Sequence, residues 1–119
     1  MLELLFLSAL SQRPGTVVLF SGPWCGACVA MEPVWKRFVA EYRGPLRLVY
    51  VNVDQPESES YRHYAPFWEA DRQMPQVCWL DGRGRLRQRQ PGLVTLEQLR
   101  RRSGQVWPVQ NGKATPQDF

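Results

Sequence analysis

Two cysteines three positions apart are the residues of this 119-residue chain whose spacing most clearly indicates chemistry. Cys25 and Cys28 follow an apolar, β-branched run at 16–20 and begin a long amphipathic segment that reaches about residue 42. A Cys-x-x-Cys pair after a strand and at the start of a helix predicts a thiol–disulfide redox centre. Unpaired N–H groups and the helix dipole would stabilise a thiolate on the first cysteine, and the thiolate is the nucleophile.

The pair could instead form a structural disulfide or half of a zinc site. Zinc usually takes four ligands, and the only other cysteine and histidine are Cys78 and His63, at no standard zinc spacing. We therefore predict redox chemistry and no metal. Cys78 lies in the short apolar run 77–80, where a free cysteine is expected to be a small buried hydrophobe. His63 lies in an aromatic segment, where a structural or surface role is expected.

Length and composition favour a single soluble globular domain. The chain is 44% apolar and 22% charged, which is ordinary for that class. Three cysteines are too few for a disulfide-stapled secreted scaffold. The first ten residues are apolar, but they lack a basic segment and fall short of the roughly 20 residues of a membrane helix. We expect an amphipathic helix ending near residue 12, and a cytoplasmic protein without membrane association.

The net charge of +4 comes from thirteen arginines and two lysines. Arginines alternate at 83, 85, 87 and 89, which on a strand would place them on one face. We interpret them as a solvated edge strand protected by charge. Nucleic acid is not expected as a partner, because neither interleaved exposed aromatics nor a nucleic-acid motif is present.

The patterns predict an alternation of strands and helices. A strand at 16–21, a helix at 25–42 bent at Pro33, and a strand at 46–53 form a parallel βαβ unit. Residues 57–64 can be helical, with a further turn from Pro66 to about 71. Strands at 76–80 and 84–90 form a β-hairpin. A capping box of Thr95 and Gln98 begins a final helix to about 102, so we expect a domain at 1–102 and a loosely ordered tail at 103–119.

From about residue 16 to 102 the chain resembles the thioredoxin family. The matching residues are the segment 24–28 (Trp-Cys-Gly-Ala-Cys), Pro33, the segment 52–54 (Asn-Val-Asp), Met74 with Pro75, and Gly92. The resemblance implies the α/β thioredoxin fold, with a central mixed sheet of about four strands flanked by helices. The N-terminal strand of the family is expected to be missing.

The resemblance also implies a role for each matching residue. Cys25 would attack a partner disulfide and Cys28 would resolve the mixed disulfide, so that a redox-active Cys25–Cys28 disulfide takes the place of a cofactor. Pro75 resembles the family's cis-proline, which exposes the backbone of Met74 to an extended substrate strand. The residues expected to bind substrate are Trp24, Gly26, Ala27, Met74, Pro75 and Gly92. The implied partners are disulfide-containing protein substrates and an upstream reductase. The protein itself is expected to be a monomer.

Three positions depart from the family pattern. Many thioredoxins carry a buried aspartate six positions before the first cysteine and a paired lysine on the next strand, where Leu19 and Tyr50 stand here. Weaker general-base assistance to Cys28, and slow resolution of the mixed disulfide, are therefore predicted. Ala27 replaces the proline usual in reducing thioredoxins, which leaves the direction of electron flow open.

Two alternatives to a general reductase remain. One is a dedicated electron relay or oxidant for a single partner. The other is a thioredoxin-fold interaction module whose cysteines are vestigial or regulatory. Retention of both cysteines, Trp24 and Pro75 favours an oxidoreductase over the module.

Overall fold

A computed structural model describes residues 13–106. Its elements in chain order are β1 (Thr16–Ser21), α1 (Gly26–Glu41), β2 (Arg47–Asn52), α2 (Glu59–Tyr64), a 3-10 turn (Ala65–Phe67), β3 (Gln76–Leu80), β4 (Leu86–Pro91) and α3 (Leu96–Val106). Three predictions concern residues outside this range. They are the helix ending near residue 12, the absence of the family's N-terminal strand, and the part of the predicted tail from residue 107 onward. Within 13–106, no helix has the length and apolar character needed to cross a membrane.

The four strands form one mixed sheet in the order β2-β1-β3-β4. β1 and β2 are parallel, while β3 runs antiparallel to both β1 and β4. The predicted parallel βαβ unit and the predicted hairpin are thus both confirmed. So is the expectation of a mixed sheet of about four strands flanked by helices.

Strand β1 is buried on both faces because helices cover both sides of the sheet. Val17 and Leu19 belong to a core cluster that includes residues of α1 and α3. Val18 and Phe20 belong to a second cluster on the opposite face, which includes Tyr64 of α2. This two-sided burial explains why β1 is a continuous apolar run rather than an alternating one.

The last helix begins where the sequence predicts and ends later. Thr95 and Gln98 exchange hydrogen bonds of 2.9 and 3.1 Å, as the capping box requires. The predicted end near residue 102 is wrong, because α3 continues to Val106. The extra turn is held by Ser103, which is 1% exposed and whose hydroxyl accepts a 3.1 Å hydrogen bond from the Trp79 indole.

The alternating arginines do not form one solvated strand face. Strand β4 begins at residue 86, so Arg83 and Arg85 lie in the turn, where their backbone N–H groups donate to the Asp81 carboxylate. Arg89 donates to the Phe67 carbonyl at 3.0 Å, and its side chain is only 19% exposed. Charge protection of the edge therefore falls mainly to Arg87, whose side chain is 63% exposed.

Candidate active site

The junction between β1 and α1 positions the two cysteines. Cys25 is the N-cap of α1, with extended backbone angles of −100° and 124°, and its Sγ accepts the Cys28 backbone N–H at 3.3 Å. Cys25 is partly exposed, whereas Cys28 is 1% exposed and lies beneath it in the first helical turn. The predicted proximity of the two thiols at a helix N-terminus is confirmed.

The environments of the two sulfurs move their pKa values in opposite directions. The pKa of Cys25 is lowered, chiefly by a hydrogen bond from the Cys28 thiol and further by the backbone N–H groups of Cys28 and Ala27. Burial raises the pKa of Cys28, and its hydrogen bond to Cys25 raises it further. The more exposed sulfur thus has the lower pKa of the two and the buried sulfur the higher, which is the order that sequential attack and resolution need.

Trp24 forms a fixed apolar surface beside the pair. Its side chain is 62% exposed, and its Nε1–H donates to Asp54 Oδ1 at 2.7 Å. The indole folds back over Gly22, where a Cβ would lie only 2.8 Å from Nε1. The ring is therefore exposed and yet oriented. Asp54 belongs to the segment 52–54 that matches the family, but its bond to Trp24 joins residues 30 positions apart and leaves no local signal in the sequence.

The sheet register brings Pro75 and Gly92 to the same end of the molecule. Phe20 pairs with Gln76, so Pro75 lies at the level where β1 leads into the motif. The Met74–Pro75 peptide bond is cis, as the resemblance implies. The Pro75 carbonyl accepts a 2.7 Å hydrogen bond from the Gly92 N–H. Gly92 has φ +83°, a conformation that L side chains rarely adopt, so the backbone itself calls for glycine here.

Two further exposed apolar residues belong to the motif helix and the Gly92 loop, and sequence reasoning missed both. Leu93 directly follows Gly92 and is 54% exposed, while Val29 directly follows Cys28 and is 57% exposed. Between the cysteines, Gly26 has open space around the position of a Cβ, and Ala27 is partly exposed. The one sequence signal for Leu93 is its position, since it is an apolar residue directly after the predicted substrate-binding Gly92.

The remaining cysteine and the histidine stay apart from the pair. Cys78 is fully buried in β3, burial raises its pKa to about 11, and it is the small buried hydrophobe that was predicted. His63 is exposed on α2 and lines a cavity with Thr16, at the opposite end of β1 from the motif. Within the part of the chain that the structure describes, no three His, Cys, Asp or Glu residues are grouped to hold a metal.

Leu19 and Tyr50, two of the three departures from the family pattern, lie on one face of the sheet. Leu19 is fully buried and pairs in register with Tyr50. Tyr50 is 37% exposed, and its hydroxyl donates to Glu32 Oε2 at 3.2 Å. No carboxylate therefore stands at the Leu19 position.

Comparisons with known proteins agree with this geometry. The thioredoxin family model matches residues 4–66. Thioredoxin 1 of Chlorobaculum tepidum is 31% identical over 81 residues, which is 68% of this chain and 73% of that protein. Protein disulfide-isomerase 2-3 of Arabidopsis thaliana is 40% identical over 42 residues, which is 35% of this chain. The matched residues make up 10% of that isomerase, so this chain spans only a small part of its length.

Solved structures confirm the fold. The reduced thioredoxin pre-protein of Schistosoma mansoni superposes with a TM-score of 0.60 over 87% of this chain and 90% of its own, at 23% identity. The mixed sheet and its helices are therefore a thioredoxin fold. The family model and the bacterial relative show that this chain belongs to the thioredoxin family.

Proposed function

We propose that this protein is a thiol–disulfide oxidoreductase that reduces disulfide bonds in partner proteins. Cys25 is the nucleophile and Cys28 the resolving thiol. The observation that carries the assignment is the asymmetry of the pair: Cys25 is partly exposed with a lowered pKa, and Cys28 is buried with a raised pKa. A structural disulfide would need no such difference.

The reaction proceeds in two displacement steps. The Cys25 thiolate attacks one sulfur of the partner disulfide, forming a mixed disulfide and releasing the other partner sulfur as a thiolate. Cys28 then loses its proton and attacks Cys25 Sγ, which releases the second partner thiolate and leaves the Cys25–Cys28 disulfide. Two electrons and two protons from an upstream reductase restore the dithiol. The cycle uses no cofactor besides the cysteine pair.

The substrate segment lies along the surface formed by Trp24, Gly26, Ala27, Met74, Pro75 and Gly92. An extended substrate strand pairs with the Met74 backbone beside the cis-proline. Main-chain hydrogen bonds of this kind supply affinity with little sequence preference. The exposed indole, oriented by Asp54, contacts apolar side chains of that strand.

We further propose a cellular setting for this activity. The protein acts in the cytoplasm as a monomer, in electron transport and redox homeostasis, without nucleic-acid or membrane partners. Its thioredoxin-like domain includes the whole of α3 and so extends at least to Val106. The cycle uses neither a prosthetic group nor a metal.

A second candidate is an oxidant or disulfide isomerase for one partner. The local match to protein disulfide-isomerase 2-3 of Arabidopsis thaliana favours it, as does Ala27 in the position of the reductases' proline. The two candidates share the same cysteine roles and differ in reduction potential.

Covalent trapping tests the roles of the two cysteines. Cys28→Ser should accumulate a mixed disulfide with an oxidised protein substrate through Cys25, because the resolving thiol is gone. Cys25→Ser should trap none, and Cys78→Ser should behave as the unmodified protein because Cys78 is fully buried. Equal trapping by Cys28→Ser and Cys25→Ser would overturn the assigned roles.

A further inference from the structure

The loop that joins the 3-10 turn to β3, residues 68–75, presents unpaired backbone at its end. Within residues 13–106, neither the N–H nor the carbonyl of Met74 has a backbone hydrogen-bond partner. Under the proposed function, on which this inference rests, an extended substrate strand pairs with those two groups. The contacts that fix the 68–75 loop therefore also fix the groups that bind substrate.

Gln76, the first residue of β3, ties the 68–75 loop to the sheet with its side chain. The residue is 0% exposed, and both ends of its amide bond the backbone of Glu69. Gln76 Nε2–H donates to the Glu69 carbonyl at 2.6 Å, and Gln76 Oε1 accepts the Glu69 N–H at 3.4 Å. A buried amide is costly unless it is hydrogen-bonded, so the pairing with Glu69 accounts for a polar residue at this position. The two bonds close a ring of chain from 69 to 76 that contains Met74.

Arg89 holds the start of the same loop from the neighbouring strand. Arg89 pairs in register with Cys78, so its side chain lies on the sheet face that also carries Gln76. Its Nη2–H donates to the Phe67 carbonyl at 3.0 Å, and its Nη1 lies 3.3 Å from Glu69 Oε2. The Arg89 side chain is only 19% exposed, so its charge is directed at the loop rather than at solvent.

The rest of the 68–75 loop contributes less to its own position. Trp68 packs against Phe20 of β1, with ring centroids 5.6 Å apart. Residues 70–73 are exposed. Arg72 donates its backbone N–H to the Glu69 carbonyl at 3.1 Å, and Arg72 Nε lies 2.7 Å from Glu69 Oε1. Glu69 is thus the residue through which the exposed stretch is tied to the sheet, and Gln76 and Arg89 hold Glu69.

We propose that Gln76 and Arg89 are positioning residues that order the Met74 backbone for substrate binding. With Glu69 fixed, the unpaired groups of Met74 are ordered before a substrate strand arrives. Association then does not carry the entropy cost of ordering them. The effect is confined to substrates that use this backbone. A small aromatic disulfide reaches Cys25 without pairing with Met74 and should not depend on Gln76 or Arg89.

Steady-state reduction of insulin by the full chain, with dithiothreitol as the reductant, tests the proposal. In Gln76→Met and Arg89→Met the KM for insulin should rise about fivefold or more, since ordering the backbone of a single residue costs at least about that factor in affinity. The kcat should stay within about twofold, because the ordering cost falls on substrate binding rather than on the bound complex. The rate at which the reduced protein reacts with dithiobis(nitrobenzoate) should also be unchanged, because neither residue touches the thiols.

Two substitutions in β4 are matched controls. Gln88→Met removes an amide that bonds Gln105 and Arg102 on the opposite face of the sheet. Arg87→Met removes an arginine that contacts Asp81 instead of the 68–75 loop. Both controls should leave the KM for insulin unchanged. They separate loss of the loop contacts from loss of a glutamine or an arginine elsewhere in the sheet.

Limited trypsin digestion follows the loop without relying on activity. Cleavage after Arg72, which is exposed, should become about fivefold faster or more in Gln76→Met and Arg89→Met, relative to cleavage after the exposed Arg37 of α1. The two control variants should show no such change. If Gln76→Met does not fold, Arg89→Met alone decides the result, because its side chain is already partly exposed.

Three results would count against this role for Gln76 and Arg89. One is an unchanged KM for insulin in the folded variants, and another is an unchanged rate of cleavage after Arg72. The third is an equal loss of rate with insulin and with dithiobis(nitrobenzoate), which would place the damage at the thiols. Absence of insulin reduction by the unmodified protein would instead overturn the proposed function, and the digestion would then decide the role of the two anchors by itself.

Discussion

Introducing the family's buried acid by Leu19→Asp should cost this protein much of its stability. Leu19 is fully buried in the cluster between β1, α1 and α3. Removing a buried leucine side chain costs about 2–5 kcal/mol, and an unpaired polar group in its place adds about 1–3 kcal/mol. An ionised carboxylate costs several kcal/mol more, because Tyr50 offers no positive charge. A domain of this size has about 5–15 kcal/mol of unfolding free energy in total.

The added cost should depend on pH with a definite sign. Burial raises the pKa of the introduced carboxyl above its unfolded value of about 3.9, so between those two values the folded state binds more protons than the unfolded state. The unfolding free energy of Leu19→Asp should therefore fall as pH rises from about 4 toward the folded pKa. Leu19→Asn removes the same packing without an ionisable group and should show no such slope.

Urea unfolding of both variants between pH 4 and 8 measures this difference. A double variant, Leu19→Asp with Tyr50→Lys, should recover part of the loss at neutral pH, by about 0.5–3 kcal/mol, because an opposite charge is then available in register. Identical pH profiles for the Asp and Asn variants would refute the conclusion that a carboxylate at position 19 is buried away from water without a positively charged partner. An Asp variant as stable as the unmodified protein would refute it as well.

Three further predictions follow from single contacts. Ser103→Ala should lower the unfolding free energy by about 1–3 kcal/mol in chemical denaturation, because the buried Trp79 N–H loses its acceptor, and an unchanged midpoint would contradict the buried position of that turn. Asp54→Asn should weaken the hold on Trp24 and lower the rate with protein disulfides while sparing that with dithiobis(nitrobenzoate), whereas an equal effect on both substrates would point to the thiols rather than the indole. In pH-dependent alkylation of reduced protein, Cys25 should react with a midpoint below that of Cys28, and the reverse order would contradict the assigned roles.

Most of the fold could be predicted because local patterns and tertiary packing agree. The apolar run of β1, the amphipathic α1 and the capping box of α3 each signal their element within a few residues. The end of α3 was missed because Gly104 and its polar neighbours look like a loop. The turn forms through Ser103, whose bond to an indole 24 positions earlier is not visible in the local sequence.

The site divides in the same way. The cysteine motif and Pro75 could be identified from the chain itself, because their chemistry depends on residue type and spacing. The Trp24–Asp54 and Tyr50–Glu32 hydrogen bonds could not, because they depend on strand register and helix orientation. Arg89 shows the limit of a charge pattern. Its guanidinium contacts the Phe67 carbonyl and the Glu69 carboxylate, so its side chain is largely buried rather than solvated.

The equilibrium reduction potential of the Cys25–Cys28 pair tests the central claim most directly. Protein equilibrated in graded dithiothreitol redox buffers is alkylated, and free thiols are counted by mass, with Cys78→Ser as the background. The account predicts a reversible two-electron transition near the reducing end, around −270 mV as for thioredoxin. A midpoint near −120 mV would retain the redox pair but assign it to an oxidant. Absence of any reversible transition would contradict the oxidoreductase account itself.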